Sequence, residues 1–196
     1  MISILEKKQV LRKTSKELRK KAFNEYGHNA AILMAKHFKN WFKNKKTIEI
    51  IAFYYPIKTE VDPFPIINCL NGPSLKLCLP VVNGPGLPLV FKEWVKNSKL
   101  VSSSYGTKIP SRGKLLTPDL VITPLLAFDH LGFRLGYGGG FYDRTIQKLR
   151  LNSNVLVLGL AFECQRTDTS IPAEPTDQLI DCVLTERGVY SFRGNL

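Results

Sequence analysis

Six short apolar runs set the strongest limit on what this chain can fold into. They occupy residues 48–55, 75–82, 88–94, 119–126, 155–162 and 179–185. The run Ile48-Glu49-Ile50-Ile51-Ala52-Phe53-Tyr54-Tyr55 is apolar almost throughout, not at every second position. That pattern predicts a strand of a sheet covered on both faces. Helical and irregular connections alternate with the runs. The expected fold class is therefore α/β, a three-layer α/β/α sandwich around a mixed, mainly parallel sheet. At 196 residues the chain is expected to form a single domain over 1–196, large enough to bury a proper core.

The helices have a different period. Residues 4–25 place Leu11, Ser15, Leu18 and Ala22 on one stripe and Lys8, Arg12 and Arg19 on another face. A second helix is expected over 30–42, with Ala30, Met34, His37, Phe38 and Trp41 turned inward. Residues 66–70 read as a short helix, and Asn71-Gly72-Pro73 as a turn. Residues 96–118 carry Ser102-Ser103-Ser104, Gly106, Pro110 and Gly113 and read as a mobile polar excursion. The run at 179–185 is expected to be the last strand.

Between the run at 119–128 and a periodic segment with Ile146, Leu149 and Leu151 lies Gly136-Tyr137-Gly138-Gly139-Gly140. Glycines at this density leave backbone N–H groups unscreened by side chains. A strand, a glycine loop and a helix in that order seat an anion at a helix N-terminus, so the loop is read as a phosphate cradle. It is not a dinucleotide fingerprint, because Phe141 stands at the third glycine position. It is not a P-loop either: Gly113-Lys114 is followed by Leu115, and Lys108 occupies the first glycine position.

The neighbours of the loop sharpen this reading. Arg134 precedes it and offers a planar grip on phosphate oxygens. Asp143 follows it, either as an acid of the first helical turn or as a Mg²⁺ ligand beside nucleotide phosphates. Asp177 is either a turn residue or a second such ligand. Glu60, just beyond the first run, is either a solvated loop charge or an acceptor for a polar heterocycle. His28, His37 and His130 show no ligand spacing, and no nucleophile elbow is present, which argues against covalent hydrolysis.

Net charge is +12, yet residues 1–46 hold 13 Lys/Arg against only Glu6, Glu17 and Glu25. Such asymmetry suits nucleic acid, an acidic membrane surface or a polyanionic small molecule. No aromatic residues interleave with the basic cluster as in RNA-binding signatures. No run approaches the roughly 18 apolar residues of a spanning helix, so no membrane partner is expected. The charged, amphipathic N-terminus fits a folded helix better than a secretory signal or a transit peptide. Cys69, Cys78, Cys164 and Cys182 are scattered without zinc spacing. Those beside apolar runs are expected to be buried thiols of a reducing cytoplasm.

The stretch Thr123-Pro124-Leu125-Leu126-Ala127-Phe128-Asp129, continuing through Arg134-Leu135-Gly136-Tyr137-Gly138-Gly139-Gly140-Phe141-Tyr142-Asp143-Arg144, resembles the 5-formyltetrahydrofolate cyclo-ligase family. Lys8-Gln9-Val10-Leu11-Arg12, Glu60-Val61-Asp62, Gly159-Leu160-Ala161-Phe162 and the segment from Gln165 to Asp177 match in family order. The resemblance implies an α/β/α fold. It also implies ATP- and Mg²⁺-dependent conversion of 5-formyltetrahydrofolate, free or polyglutamylated, to 5,10-methenyltetrahydrofolate, with release of ADP and phosphate. Carried over residue by residue, it implies ATP contacts from Lys8, Arg12, Arg134, Gly136, Gly138, Gly139, Gly140 and Tyr142. Arg134 and Tyr142 would act in catalysis, and Asp143 and Asp177 would hold magnesium. Tyr55, Glu60, Tyr105, Tyr137, Gly138, Gly139, Gly140 and Phe141 would contact folate. A cytoplasmic monomer with no nucleic-acid partner is the expected form.

Some family members carry Arg and Lys in the loop where this chain has Tyr137 and Gly139. That departure places more of the charge on Arg134, Lys8 and Arg12. Two other readings stay open at this point. One is a basic nucleic-acid-binding protein, and the other is a different ATP-using ligase or pseudoenzyme on the same scaffold.

Overall fold

A computed structural model describes residues 2–192 apart from Asn71, Pro73 and Ser104. Asn71 and Pro73 belong to the expected turn and Ser104 to the expected excursion, so those parts of the two readings lie outside the described residues. Helix α1 (Ile4–Phe42) opens with a reciprocal cap: the Ser3 hydroxyl accepts from the Glu6 N–H, and the Glu6 carboxylate accepts from the Ser3 N–H. It continues unbroken for 39 residues, where two helices were expected. The expected break falls at Gly27, which is buried in the contact between α1 and Phe162. A mid-helix glycine costs about 1 kcal/mol relative to alanine. Burial of Ala22, Ala30, Ala31, Met34, Ala35 and Phe38 on either side outweighs that cost.

Lys8, Ser15, Arg19 and Ala22 form one inward stripe of α1, so the basic face and the expected core stripe overlap. Leu18 is instead exposed, and His37 and Trp41 are only half-buried.

The chain then forms β1 (Ile50–Ala52), α2 (Phe64–Cys69), β2 (Lys76–Val81), β3 (Val90–Glu93), β4 (Leu100–Ser102), β5 (Lys108–Pro110), β6 (Leu115–Leu116) and β7 (Leu120–Pro124). After these come β8 (Ala127–Phe128), β9 (Arg134–Leu135), α3 (Phe141–Asn152), β10 (Leu156–Leu160), β11 (Cys182–Thr185) and β12 (Gly188–Ser191). The main sheet has the order β12-β11-β10-β7-β1-β2-β3-β6. Strands β11, β10, β7, β1 and β2 run parallel; β12 and β3 run antiparallel to them at the flanks, and β6, antiparallel to β3, returns to the direction of the parallel set. The mixed, mainly parallel α/β sheet read from the apolar runs is thus what forms.

Those runs are apolar throughout because both faces are buried. Ile51, Leu120, Ile122, Leu158, Leu160 and Leu184 pack into a core with α1 and α2. Their sequence neighbours Ala52, Val121, Val157 and Val183 pack on the other face with Ile146 of α3. Leu149 is half-buried there, whereas Leu151 is 80% exposed and takes no part. All four cysteines are free, with Cys78 and Cys182 buried, Cys164 half-buried and Cys69 exposed. No helix among the described residues is long and apolar enough to cross a membrane.

Three further departures bear on function. The β7 strand does not run straight into the glycine loop, because the small β8–β9 hairpin stands between them. Buried Asp129 fixes that hairpin: its carboxylate accepts from the N–H groups of Leu131 and Phe133 and, across the chain, of Ile171. The polar excursion at 96–118 contains the β4–β5 hairpin and the β6 edge strand. Finally, β12 follows the strand read as the last.

Candidate active site

Loops leaving β1 and β7, the glycine loop and the proline-bearing loop before β11 enclose a cavity of ≈ 310 Å³, roofed by the first half of α1. Ligands of open α/β sheets gather at such carboxyl ends. Every residue singled out above for ATP, folate or metal lines this one cavity, from Lys8 and Arg12 to Asp177.

The glycine loop begins where β9 ends and becomes α3 at Gly140, the N-cap residue, with φ 63°. Gly138 also has a positive φ, 101°, and a Cβ there would approach the Arg12 guanidinium carbon to 3.3 Å. Both positions need glycine for backbone and space, since a Cβ at Gly140 would meet Arg144 Nη1 at 2.6 Å. Arg12 Nε donates to the Gly136 carbonyl at 3.0 Å, and Arg144 Nη2 donates to the Gly139 carbonyl at 2.7 Å. With these carbonyls held, the remaining peptide groups and the α3 N-terminus form a basic rim suited to an anion.

The expected cations and carboxylates are paired with one another. Lys8 Nζ lies 2.7 Å from Glu174 and 2.5 Å from Asp177. Burial by itself would lower the Lys8 pKa, but the hydrogen bonds and charges of Asp177 and Glu174 overcome it and leave the value raised. Arg134 Nη2 donates to Asp143 Oδ1 at 2.9 Å, and its Nη1 donates to the Gln178 carbonyl. Desolvation pulls the Arg134 pKa below its usual value against the opposing pull of Asp143.

Arg134 therefore orients Asp143 in this state instead of reaching into open space. Asp143 does not cap α3 with its side chain; it accepts from Arg134 and from the Gln178 N–H at 3.1 Å. Asp177 does stabilise a turn, accepting from the Glu174 N–H at 2.8 Å, and it binds Lys8 as well. Among the described residues no group of three or more His, Cys, Asp or Glu forms a ready-made metal cage. Mg²⁺ bound through one or two carboxylates plus substrate phosphates requires no such cage.

The rest of the lining is apolar and aromatic: Tyr54, Tyr55, Pro80, Val82, Leu89, Tyr105, Pro124 and Phe141. Tyr105 meets Phe141 edge-on at 5.6 Å between ring centroids, and the Lys108 ammonium lies 5.2 Å from the Tyr55 ring centroid. Among these surfaces sits Glu60, only 3% exposed, where a solvated loop charge was the plainer reading. Its Oε2 accepts from the Ile57 N–H at 2.9 Å. Burial raises its pKa to about 7, against the opposing pull of that hydrogen bond, Arg19 and Lys58. Tyr142 is raised as well, first by burial and then by the Glu60 charge, so its hydroxyl stays a neutral donor.

A sequence model of the 5-formyltetrahydrofolate cyclo-ligase family matches residues 4–186. The chain belongs to this family. Its place among the ligases follows from that membership. A 5-formyltetrahydrofolate cyclo-ligase of Haemophilus influenzae is 29% identical over 179 residues, covering 88% of this chain and 94% of the relative. One of Escherichia coli is 32% identical over 148 residues, 72% of this chain and 80% of the relative. The solved structure of the 5,10-methenyltetrahydrofolate synthetase of Aquifex aeolicus superposes with a TM-score of 0.74 at 27% identity, covering 96% of this chain and 94% of that one. A Mycoplasma pneumoniae synthetase structure, at 22% identity and a TM-score of 0.71, shares the fold.

Sequence reasoning missed several members of the site. Glu174, the second partner of Lys8, lay in the matched segment from Gln165 to Asp177 without a role of its own. Lys108 lay inside the polar excursion. Arg144 closed the quoted motif without a role, and Arg19 was simply one cation of a helix face. The signal available for Arg19 was its spacing: eleven residues after Lys8 and seven after Arg12, it falls on the same side of α1.

Proposed function

We propose that this enzyme converts 5-formyltetrahydrofolate to 5,10-methenyltetrahydrofolate at the expense of ATP, releasing ADP and phosphate. The observation that carries this reading is that a glycine loop at a helix N-terminus and an aromatic pocket with a buried carboxyl share one cavity. Polyphosphate and a flat, polar heterocycle are the ligands those two halves suit.

In the reaction we infer, the formyl oxygen attacks the γ-phosphorus and ADP leaves. The N10 nitrogen then attacks the activated carbon, the N10 proton is released, and the C–O bond breaks to expel phosphate. The protein's contribution is positioning and charge stabilisation, with little proton transfer by side chains. The loop and α3 hold the phosphates, with Lys8 and Arg12 above them on α1. Arg134 holds Asp143 in place and adds positive charge where the phosphoryl group moves, and Tyr142 donates as a neutral hydroxyl. Glu60 accepts hydrogen bonds from the pterin, while Tyr55, Tyr105, Tyr137 and Phe141 enclose the ring system.

Asp143 and Asp177 are the residues that would hold Mg²⁺, since the described hydrogen bonds fall on one oxygen of each carboxylate. Bound there, the cation would neutralise phosphate oxygens. We place the enzyme in the cytoplasm as a single-domain monomer acting on free or polyglutamylated substrate; its four free thiols suit that compartment.

The test is direct. Mixing the protein with 5-formyltetrahydrofolate, MgCl₂ and ATP should produce the methenyltetrahydrofolate absorbance together with one equivalent of ADP. ATP hydrolysis without the absorbance gain, or no turnover at all, would overturn the proposal.

A further inference from the structure

Arg19 is among the largest fully buried side chains of the molecule, 2% exposed. A guanidinium withdrawn from water is costly unless its donors find acceptors and its charge a counter-charge. The donors are served. Nε donates to Thr59 Oγ1 at 3.2 Å, Nη1 to the Leu125 carbonyl at 3.3 Å, and Nη2 to the Tyr137 hydroxyl. The charge is not paired in the same way. Lys8 lies against Asp177 and Glu174, and Arg134 against Asp143, but Arg19 forms no ion pair among the described residues.

The three acceptors come from three segments: the loop after β1, the loop after β7 and the glycine loop. Leu125 is buried beside the sheet, and Thr59 is half-buried. Tyr137 is different. It is 40% exposed and flanked by glycines, whose backbone has the widest choice of conformations. The Arg19 guanidinium also lies 5.4 Å from the Tyr137 ring centroid, and this stacking aids the hydroxyl contact in holding one side-chain position.

We propose that Arg19 is a positioning residue for the glycine loop: by holding the Tyr137 hydroxyl it keeps the loop in the shape that receives the nucleotide phosphates. The inference rests on the functional reading above and deepens it. A loop of this composition has many shapes open to it, and a ligand that needs one of them has its affinity scaled down to the fraction of time that shape is present. Arg19 raises that fraction before ATP arrives. Arg19→Lys keeps the charge but loses the fork that reaches three acceptors at once.

The experiment compares Tyr137→Phe, Arg19→Lys and the double variant with the unaltered protein. Affinity for a non-hydrolysable ATP analogue is measured by calorimetry, kcat and both KM values by turnover, and loop exchange by hydrogen–deuterium exchange without ligand. Each single variant should weaken analogue binding about tenfold, and the double variant no further. Exchange at residues 136–140 should quicken in all three. KM for ATP should rise several-fold more than KM for the formyl folate, whose ring also meets this loop, a split that general loss of stability would not produce.

Tyr137→Phe removes a single oxygen from a half-exposed ring, so it tests the proposal even if the arginine variants fold poorly. Analogue binding and loop exchange unchanged in that variant, or effects of the two changes that multiply, would overturn the proposal alone. If the unaltered protein binds no nucleotide, the functional reading falls and this inference with it.

Discussion

A carboxyl group 3% exposed and set among aromatic rings behaves unlike the same group on a loop surface. With its pKa raised to about 7 from an ordinary 4.5, Glu60 keeps its proton in the folded protein while the unfolded chain has already released it. The folded state therefore binds the extra proton between those values, and stability must fall as pH rises through that window. Over the whole window the loss is about 3 kcal/mol, and above pH 7 it is complete. Glu60→Gln keeps the shape and removes the titration. Calorimetric unfolding at pH 5, 6 and 7.5 should show the unaltered protein losing stability relative to this variant; parallel curves would sink the argument. In turnover, the variant should raise KM for the formyl folate and leave KM for ATP near its original value, because only the folate half of the cavity loses an acceptor. Nothing in the local sequence distinguishes Glu60 from a solvated loop acid. The groups that share its buried surroundings, Arg19 of α1 and Tyr142 of α3, come from distant parts of the chain.

At the scale of elements, local pattern was legible where one physical cause dominated. Runs apolar at every position became strands buried on both faces, since residues 51 and 52, or 157 and 158, each enter a core on opposite sides. Reading failed where a long-range contact overrode a local preference. Two helices, 4–25 and 30–42, were expected, yet α1 passes through Gly27 between them because packing on Phe162 and the flanking apolar stripe reward continuity. A methyl group added at Gly27 would lie 3.4 Å from the Phe23 ring and 3.7 Å from Phe162, which is ordinary contact. Gly27→Ala should then recover about 0.5–1 kcal/mol of helix propensity. The melting temperature should rise by about 2–3 °C, as expected for a domain of this size. A fall would mean that the α1–Phe162 contact has no room for even one carbon. The β8–β9 hairpin escaped the sequence for a related reason. Two-residue strands have too few positions to show a period, and the residue that fixes them, Asp129, bonds to Ile171 across the chain.

For the molecule as a whole, the basic N-terminus divides by direction. Lys8, Arg12 and Arg19 turn toward the cavity, while Lys7, Lys13, Lys20, Lys21 and Lys36 face solvent. The sequence shows both sets as one cluster, because the side of a helix that meets a binding site is decided by the rest of the fold. The side chains of the inward set touch Asp177, Gly136 and Tyr137. The outward set stands in water, where at physiological ionic strength charges are screened beyond about 8 Å. If ATP is the anion that this half of the chain serves, the outward lysines contribute little to its capture. A Lys13→Gln, Lys20→Gln, Lys36→Gln variant should keep kcat/KM for ATP within about twofold at 0.15 M salt, since only long-range steering is lost. Single-stranded RNA at that salt should neither bind tightly by fluorescence anisotropy nor inhibit turnover. An RNA partner would give the opposite result: steeply salt-dependent binding that the triple variant abolishes, because each neutralised phosphate releases counterions. Such binding, or a large fall in kcat/KM for ATP, would move the function of α1 from its inner face to its outer one.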